Sequence, residues 1–207
     1  MKANTMRRFL VMLIGIIILG LGIAMFKISL MGNDPSSAFV MAVGDRIGVD
    51  FSRVLICANT VWFIMEALLG RKYIGLGTFV NWFGVGTIAS LFVNYISAQW
   101  EISQSFGIRF MIMLVGILVL SLASSMYQTA DMGIAPYDAL SLILTDRMPI
   151  PYFWCRIFTD SICAVVAFLF GGIVGFGTLV CAVGLGPFIS FFNKNVSEKL
   201  CGISSNE

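Results

Sequence analysis

Residues 75–92 read GLGTFVNWFGVGTIASLF, and residues 175–192 read GFGTLVCAVGLGPFISFF. Set 100 residues apart, eight of these 18 positions are identical: Gly75/Gly175, Gly77/Gly177, Thr78/Thr178, Val80/Val180, Gly84/Gly184, Gly86/Gly186, Ser90/Ser190 and Phe92/Phe192. Neither stretch carries a charge. Working outward, Met31-Gly32-Asn33-Asp34-Pro35 faces Met132-Gly133-Ile134-Ala135-Pro136 at an offset of 101, as do Asp45-Arg46 and Asp146-Arg147, and Gly15 and Gly116. One glycine-rich match between apolar helices is weak. The first three of these matches, collinear at nearly constant offset, identify a tandem duplication, with a first repeat over residues 1–100 and a second over residues 107–199.

The composition says where such a chain lives. Of 207 residues, 58% are hydrophobic and 12% charged, with a mean hydropathy of +0.94. A soluble domain averages about 25% charged residues. This balance excludes an ordinary soluble enzyme, a disordered chain and a nucleic-acid-binding module, and the net charge of +2 implies no polyanionic partner. There is no His, so the commonest general base and metal ligand is missing. Cys57, Cys155, Cys163, Cys181 and Cys201 form no CxxC pair and read as small apolar residues. No cofactor or metal site is expected. The opening Lys2, Arg7 and Arg8 before an apolar run resemble a signal peptide, but no small-residue cleavage site follows, so the run reads as an uncleaved first span.

Each half holds the same elements. The first span covers about residues 9–26 and 108–126; a polar break follows; a short helix covers 35–46 and 136–147; two further spans cover 54–69 and 76–96, then 157–170 and 176–192. Pro35 and Pro136 suit the first turn of a helix, where the missing N–H has no intrahelical role. The short helices, at about 18 Å, fall short of a hydrocarbon core of about 30 Å. The expected class is therefore an all-α membrane protein, a tandem repeat of three transmembrane helices plus one short broken or re-entrant helix per half. If the short helices do not cross, each half crosses three times and the second half is inverted. If they cross, each half crosses four times and the repeats are parallel. Counting Lys and Arg barely separates the two; six spans are favoured, and both schemes put the two termini in the cytoplasm.

Irregular backbone at membrane depth survives only where protein or a wet cavity satisfies it, and broken-helix N-termini are the usual solute site of duplicated transporters. The candidate solute residues are Asn33, Asp34, Pro35, Ser36 and Ser37 at the first short helix, Pro136, Tyr137 and Asp138 at the second, and Thr78, Asn81 and Thr178 at the third spans. Asp34 could equally act as an N-cap, and Asp138 could favour its helix from the first turn. Arg53, Arg156 and Asp160 are candidates for coupling or gating. Asp160 lies four residues after Arg156, so the two could simply pair. Glu66 is expected to snorkel toward Arg71, Lys72 or water, and Asn59, Asn81 and Asn94 to bond between helices. The glycines read as close helix contacts at the repeat interface.

At Gly20-Leu21-Gly22-Ile23-Ala24, Met31–Pro35 and Gly133-Ile134-Ala135-Pro136-Tyr137-Asp138-Ala139-Leu140 the chain resembles the YczE/YyaS/YitT-type bacterial integral membrane proteins. The Gly-x-Gly-Thr starts at Gly75 and Gly175 and the Gly-x-Gly-Pro at residues 184–187 are similar too. The first half departs from the pattern, with Ser36-Ser37 where the second has Tyr137-Asp138. The resemblance implies a bacterial inner-membrane protein and adds architecture more than activity.

The expected function is a small transporter or channel for a small polar or anionic solute, bound between the repeats. Its partners would be the bilayer and that solute, and a bundle this small could pair as a homodimer. The alternative is a non-transporting scaffold or accessory protein with its acidic residues paired off. An enzyme is disfavoured, since no HExxH, GxSxG or paired acidic motif occurs.

Overall fold

The computed structural model describes residues 2–99, 105–172 and 175–202. All the elements among them are helical: α1 (Lys2–Ser29), α2 (Pro35–Ile47), α3 (Phe51–Leu69), a 3₁₀ turn (Arg71–Tyr73), α4 (Leu76–Gln99), α5 (Phe106–Thr129), α6 (Pro136–Arg147), α7 (Tyr152–Leu169), α8 (Phe176–Phe192), a π-helical turn (Asn193–Ser197) and α9 (Glu198–Cys201). Among the described residues six helices are long and apolar enough to cross a membrane: Thr5–Ser29, Phe51–Leu69, Leu76–Gln99, Phe106–Thr129, Tyr152–Leu169 and Phe176–Cys201. Many large apolar side chains on them point outward, including Leu68, Leu76, Leu91, Phe168, Leu169 and Leu179. A soluble protein would bury that surface; a bilayer solvates it. The protein is a multi-span helical membrane protein.

Helices α2 and α6 have 13 and 12 residues. Each opens on proline, at Pro35 and Pro136. The chain reaches these prolines through the same unusual turn in both halves. Leu30 and Asp131, 101 residues apart, have φ of 56° and 52°, and Gly32 and Gly133 have φ of 110° and 112°. That last conformation is one only glycine adopts without strain. The matching segments at 31–35 and 132–136 thus share a backbone conformation as well as sequence.

The two halves are interleaved. The turn after α1 docks on the start of α8, where Gly177 N–H donates to Met31 O at 2.8 Å; the turn after α5 docks on the start of α4, where Gly77 N–H donates to Met132 O at 2.7 Å. These bonds satisfy one orphan donor at each helix start and one turn carbonyl. A Cβ on Gly77 would come within 2.6 Å of Gly133 O, and one on Gly177 within 3.0 Å of Met31 O. The glycines of the repeated motif therefore admit the backbone of the opposite half, a sharper role than general helix packing. Likewise α2 packs on α7 and α6 on α3, with Ala42 against Gly172 and Ile143 against Gly70.

Close contacts also fix helix directions. Gly15 lies beside Met126 and Tyr127, Gly22 beside Leu120, and Gly116 beside Met25 and Phe26, so α1 and α5 run antiparallel. Met12 meets Gly77 and Gly20 meets Ile88, so α4 runs parallel to α1. Met113 meets Gly177 and Thr129 donates to Asn193 at 3.1 Å, so α8 runs parallel to α5. Arg7 donates to Lys199 O at 2.8 Å, which puts α1's start and α9 at one end of the bundle.

Candidate functional site

The starts of α2 and α6 meet in the middle of the molecule. Asp34 is the N-cap of α2: its Oδ2 accepts from Ser37 N–H at 3.1 Å and from Ser36 Oγ–H at 2.8 Å. This satisfies an orphan amide and places a carboxylate at the positive end of the helix. Helix α6 starts differently. Its N-cap is Ala135, with no side-chain cap, and Asp138 turns away to an ion pair with Arg156 from α7.

Arg156 is the hub of a buried network. Its Nη1 donates to Asp138 Oδ1, its Nε donates to Asp160 Oδ2 at 3.2 Å, and its guanidinium lies 5.1 Å from the centre of the Tyr137 ring. Tyr137 Oη–H donates to Asp160 Oδ1 at 2.5 Å. Gln128 from α5 reaches Asp138 Oδ2 at 3.4 Å, and Ser141 and Thr159 bond at 2.9 Å. Two carboxylates thus share one guanidinium. In a low-dielectric interior that arrangement holds only when every partner is present.

Beside this network lies a cavity of about 70 Å³, lined by Asp34, Ser36, Ser37, Asn59, Trp62, Asn81, Ser124, Tyr137, Asp138 and Arg156 on its polar and aromatic side and by Leu19, Ile23, Leu55, Val85, Leu120 and Leu185 on its apolar side. Two of its lining residues hold a buried atom, Asp34 Oδ1 and Asn81 Nδ2, with no hydrogen-bond partner among the described residues. Such an atom costs about 1–3 kcal/mol if it stays unsatisfied. Two wider clefts flank the centre. One, of about 570 Å³, is lined by Lys27, Gly32, Asn33, Met41, Asp45 and Asp50 among others. The other, of about 320 Å³, is lined by Arg8, Lys72, Tyr73, Asp131, Gly133 and Ile134 among others. Gly32-Asn33 and Gly133-Ile134 are repeat mates, so the clefts occupy related places.

The structure brings Asp34, Ser36, Ser37, Asn81, Tyr137, Asp138 and Arg156 to one cavity, with Asp160 directly behind them. Pro35 and Pro136 are buried as first helical residues. Other expected residues go elsewhere. Thr178 Oγ1 accepts from Asn33 N–H at 3.1 Å, and Thr78 Oγ1 accepts from Gly75 N–H at 3.1 Å; both fasten backbone rather than line the cavity. Asn33 also bonds its own neighbour, Oδ1 accepting from Asp34 N–H at 2.9 Å. Arg53 and Arg156 each lie near the start of the span that follows a short helix, but Arg53 is 77% exposed and faces Asp50 at 3.8 Å, so it is not the counterpart of the buried Arg156. Asn94 is exposed.

Glu66 corrects its snorkelling expectation. It is fully buried, and neither carboxylate oxygen has a partner among the described residues. Helical side chains lean toward the N-terminus, which aims Glu66 back into the bundle, on the face of α3 that carries Asn59 and Trp62. Arg71 instead donates to Ala67 O at 2.9 Å, and Lys72 pairs with Asp146 at 2.7 Å. That pair lies on the surface, and its hydrogen bond, with a second from Tyr73, holds the Asp146 carboxyl below the ordinary carboxylate range. Trp62, Gln128 and Asn59 were not singled out for the site. Trp62 has its ring centre 4.9 Å from that of Tyr137; i, i+3 spacing from Asn59 was the available signal.

A family of unknown function, DUF6198, matches residues 6–194. The chain belongs to this family. It is similar to the uncharacterized protein YyaS of Bacillus subtilis, 29% identical over 182 residues covering 83% of this chain and 86% of the relative. It is similar to the uncharacterized membrane protein YczE of the same species, 21% identical over 192 residues covering 92% and 87%. An uncharacterized protein of Haemophilus influenzae is 25% identical over 185 residues covering 88% and 81%. These matches agree with the resemblance read from the Gly-x-x-Pro and Gly-x-Gly-Thr segments. No solved structure matches the chain significantly.

Proposed function

We propose that this protein is a small-solute transporter whose binding site is the central cavity between the N-termini of α2 and α6. One observation carries the reading. A cavity with polar residues on one side sits where the halves meet, and two of those residues hold a buried atom, Asp34 Oδ1 and Asn81 Nδ2, without a partner among the described residues. Ionisable residues at membrane depth are costly and mark solute or ion paths.

In this reading the halves form an inverted repeat and α2 and α6 are re-entrant. Antiparallel α1 and α5, with α4 parallel to α1, support it: a crossing α2 would reverse α4. At about 20 Å, α2 is also too short to cross. The 570 Å³ and 320 Å³ clefts would be vestibules on the two faces, opened in turn as one half rocks against the other. The membrane is the bacterial inner membrane. Arg7, Arg8, Arg71, Lys72, Arg147, Lys194 and Lys199 gather toward the end holding the start of α1 and α9, against Lys27, Arg46, Arg53 and Arg109 toward the other, which favours a cytoplasmic face there.

The paired Asp138 and Asp160 are also what a static accessory protein would need. The unpartnered Asp34 and Asn81 atoms favour transport. The test is uptake by purified protein in liposomes across a panel of small polar metabolites. Uptake of at least one, lowered by Asp138→Asn, is expected; uptake of none, or uptake indifferent to both Asp34→Asn and Asp138→Asn, overturns the assignment.

A further inference from the structure

The walls of the central cavity carry information about the charge of what enters it. Its carboxylates are Asp34 and Asp138, with Asp160 behind; its cation is Arg156. Arg156 already pairs with both Asp138 and Asp160, so among the described lining residues the carboxylates outnumber the one cation. The partial positive charge at the start of α2 is answered by Asp34 Oδ2. An anion entering here would meet Asp34 beside an already shared guanidinium, in a medium where Coulomb terms are strong.

The unpartnered atoms state the complement more closely. Asp34 is 7% exposed, and its Oδ1 accepts nothing among the described residues; Asn81 is 3% exposed, and its Nδ2 donates to nothing among them. A solute that satisfies both needs a donor, best a cationic one, and an acceptor. The opposite side of the cavity is aliphatic, from Leu19 to Leu185, and the Trp62 ring lines it too, which suits an ammonium group and its methylenes. About 70 Å³ holds a solute of only a few heavy atoms, given roughly 10–15 Å³ for one water.

We propose that the central site takes a small organic amine that also carries an oxygen acceptor, its ammonium on Asp34 Oδ1 and its oxygen on Asn81 Nδ2. This rests on the cavity being the solute site. It narrows the solute from polar or anionic to cationic.

The probes are ethanolamine, ethylammonium, ethylene glycol and acetate, titrated against the purified protein in lipid nanodiscs and followed by calorimetry. Ethanolamine should bind, ethylammonium about tenfold more weakly, and ethylene glycol and acetate not detectably. Asp34→Asn, which keeps an oxygen for the α2 cap, should weaken ethanolamine at least tenfold. Asn81→Ala should erase the preference over ethylammonium. Acetate or ethylene glycol binding as well as ethanolamine, no binding of either amine, or binding unchanged in Asp34→Asn would overturn the proposal. Uptake of a neutral or anionic solute alongside any of these would leave the transport reading standing. Amine binding in nanodiscs without uptake of any solute would support this proposal and defeat transport.

Discussion

The starts of α2 and α6 share a proline at the first helical position and the same preceding turn, and do opposite things with an aspartate. Asp34 caps its own helix and leaves one oxygen unpartnered at the cavity wall. Asp138 leaves its helix uncapped and joins Arg156, Asp160, Tyr137 and Gln128 in a closed network. The same contrast separates Arg53, exposed at the surface, from Arg156, buried at the centre. The two halves share one backbone turn, at Leu30 and Gly32 and at Asp131 and Gly133, yet the helix start that follows is closed in a network in one half and keeps an unpartnered oxygen among the described residues in the other.

The largest effect that would test this contrast is at the arginines. Arg156→Ala strands two buried carboxylates and should cost about 3–5 kcal/mol of stability, read as a large fall in unfolding temperature in detergent. Arg53→Ala at the matched position should change stability by no more than about 1 kcal/mol. Equal losses would break the asymmetry.

Next come the glycines, where the halves should behave alike in kind. Gly77→Ala and Gly177→Ala each push a methyl at the opposite half's backbone, at 2.6 Å and 3.0 Å respectively. Overpacking costs of about 1–3 kcal/mol are expected, with Gly77→Ala the worse. Chemical unfolding curves of the two variants would rank them; the reverse order would count against the interleaved turns.

Smaller still is the cap. Asp34→Ala should cost about 1 kcal/mol through the lost N-cap, while Asp34→Asn should leave stability nearly unchanged and affect only solute binding. A comparable stability loss in both would make Asp34 structural alone.

The smallest effect is at the surface pair Lys72–Asp146. Because Asp146 titrates at a lowered pH when folded, its stabilising contribution is present above the unfolded carboxylate pKa and fades as pH falls through the lowered folded value. The difference in unfolding temperature between wild type and Asp146→Asn should therefore be small and flat from roughly pH 5 to 9 and should shrink toward acid. A difference that grows on acidification would contradict the hydrogen bonds from Lys72 and Tyr73.

Much of this molecule was legible in one dimension. Pro35 and Pro136 mark the observed starts of α2 and α6, because proline is tolerated in a first turn and little beyond it. The repeated Gly-x-Gly-Thr marks the starts of α4 and α8. Asp160, four residues after Arg156, does pair with it, as helical geometry at that spacing allows. Legibility failed where the outcome depended on which face of a helix met which neighbour. Glu66 sits near a helix end with two cations following, and a local reading sends it there; its burial depends on α3 turning that face inward. Thr78 and Thr178 have the residue type of a site and the position of a fastener.

The sequence by itself determined that this is a helical membrane protein, that its two halves carry matching motifs about 100 residues apart, and that short helices begin at Pro35 and Pro136. These follow from hydropathy, repeat spacing and proline stereochemistry, which act over a few residues at a time. Only the tertiary structure decided that the turn of each half docks on the other, that Arg156 is central while Arg53 is peripheral, and that Asp34 and Asn81 share a cavity wall. Those outcomes depend on contacts between residues tens to more than a hundred positions apart, and the side-chain periodicity of one helix does not encode the partner its inward face will meet.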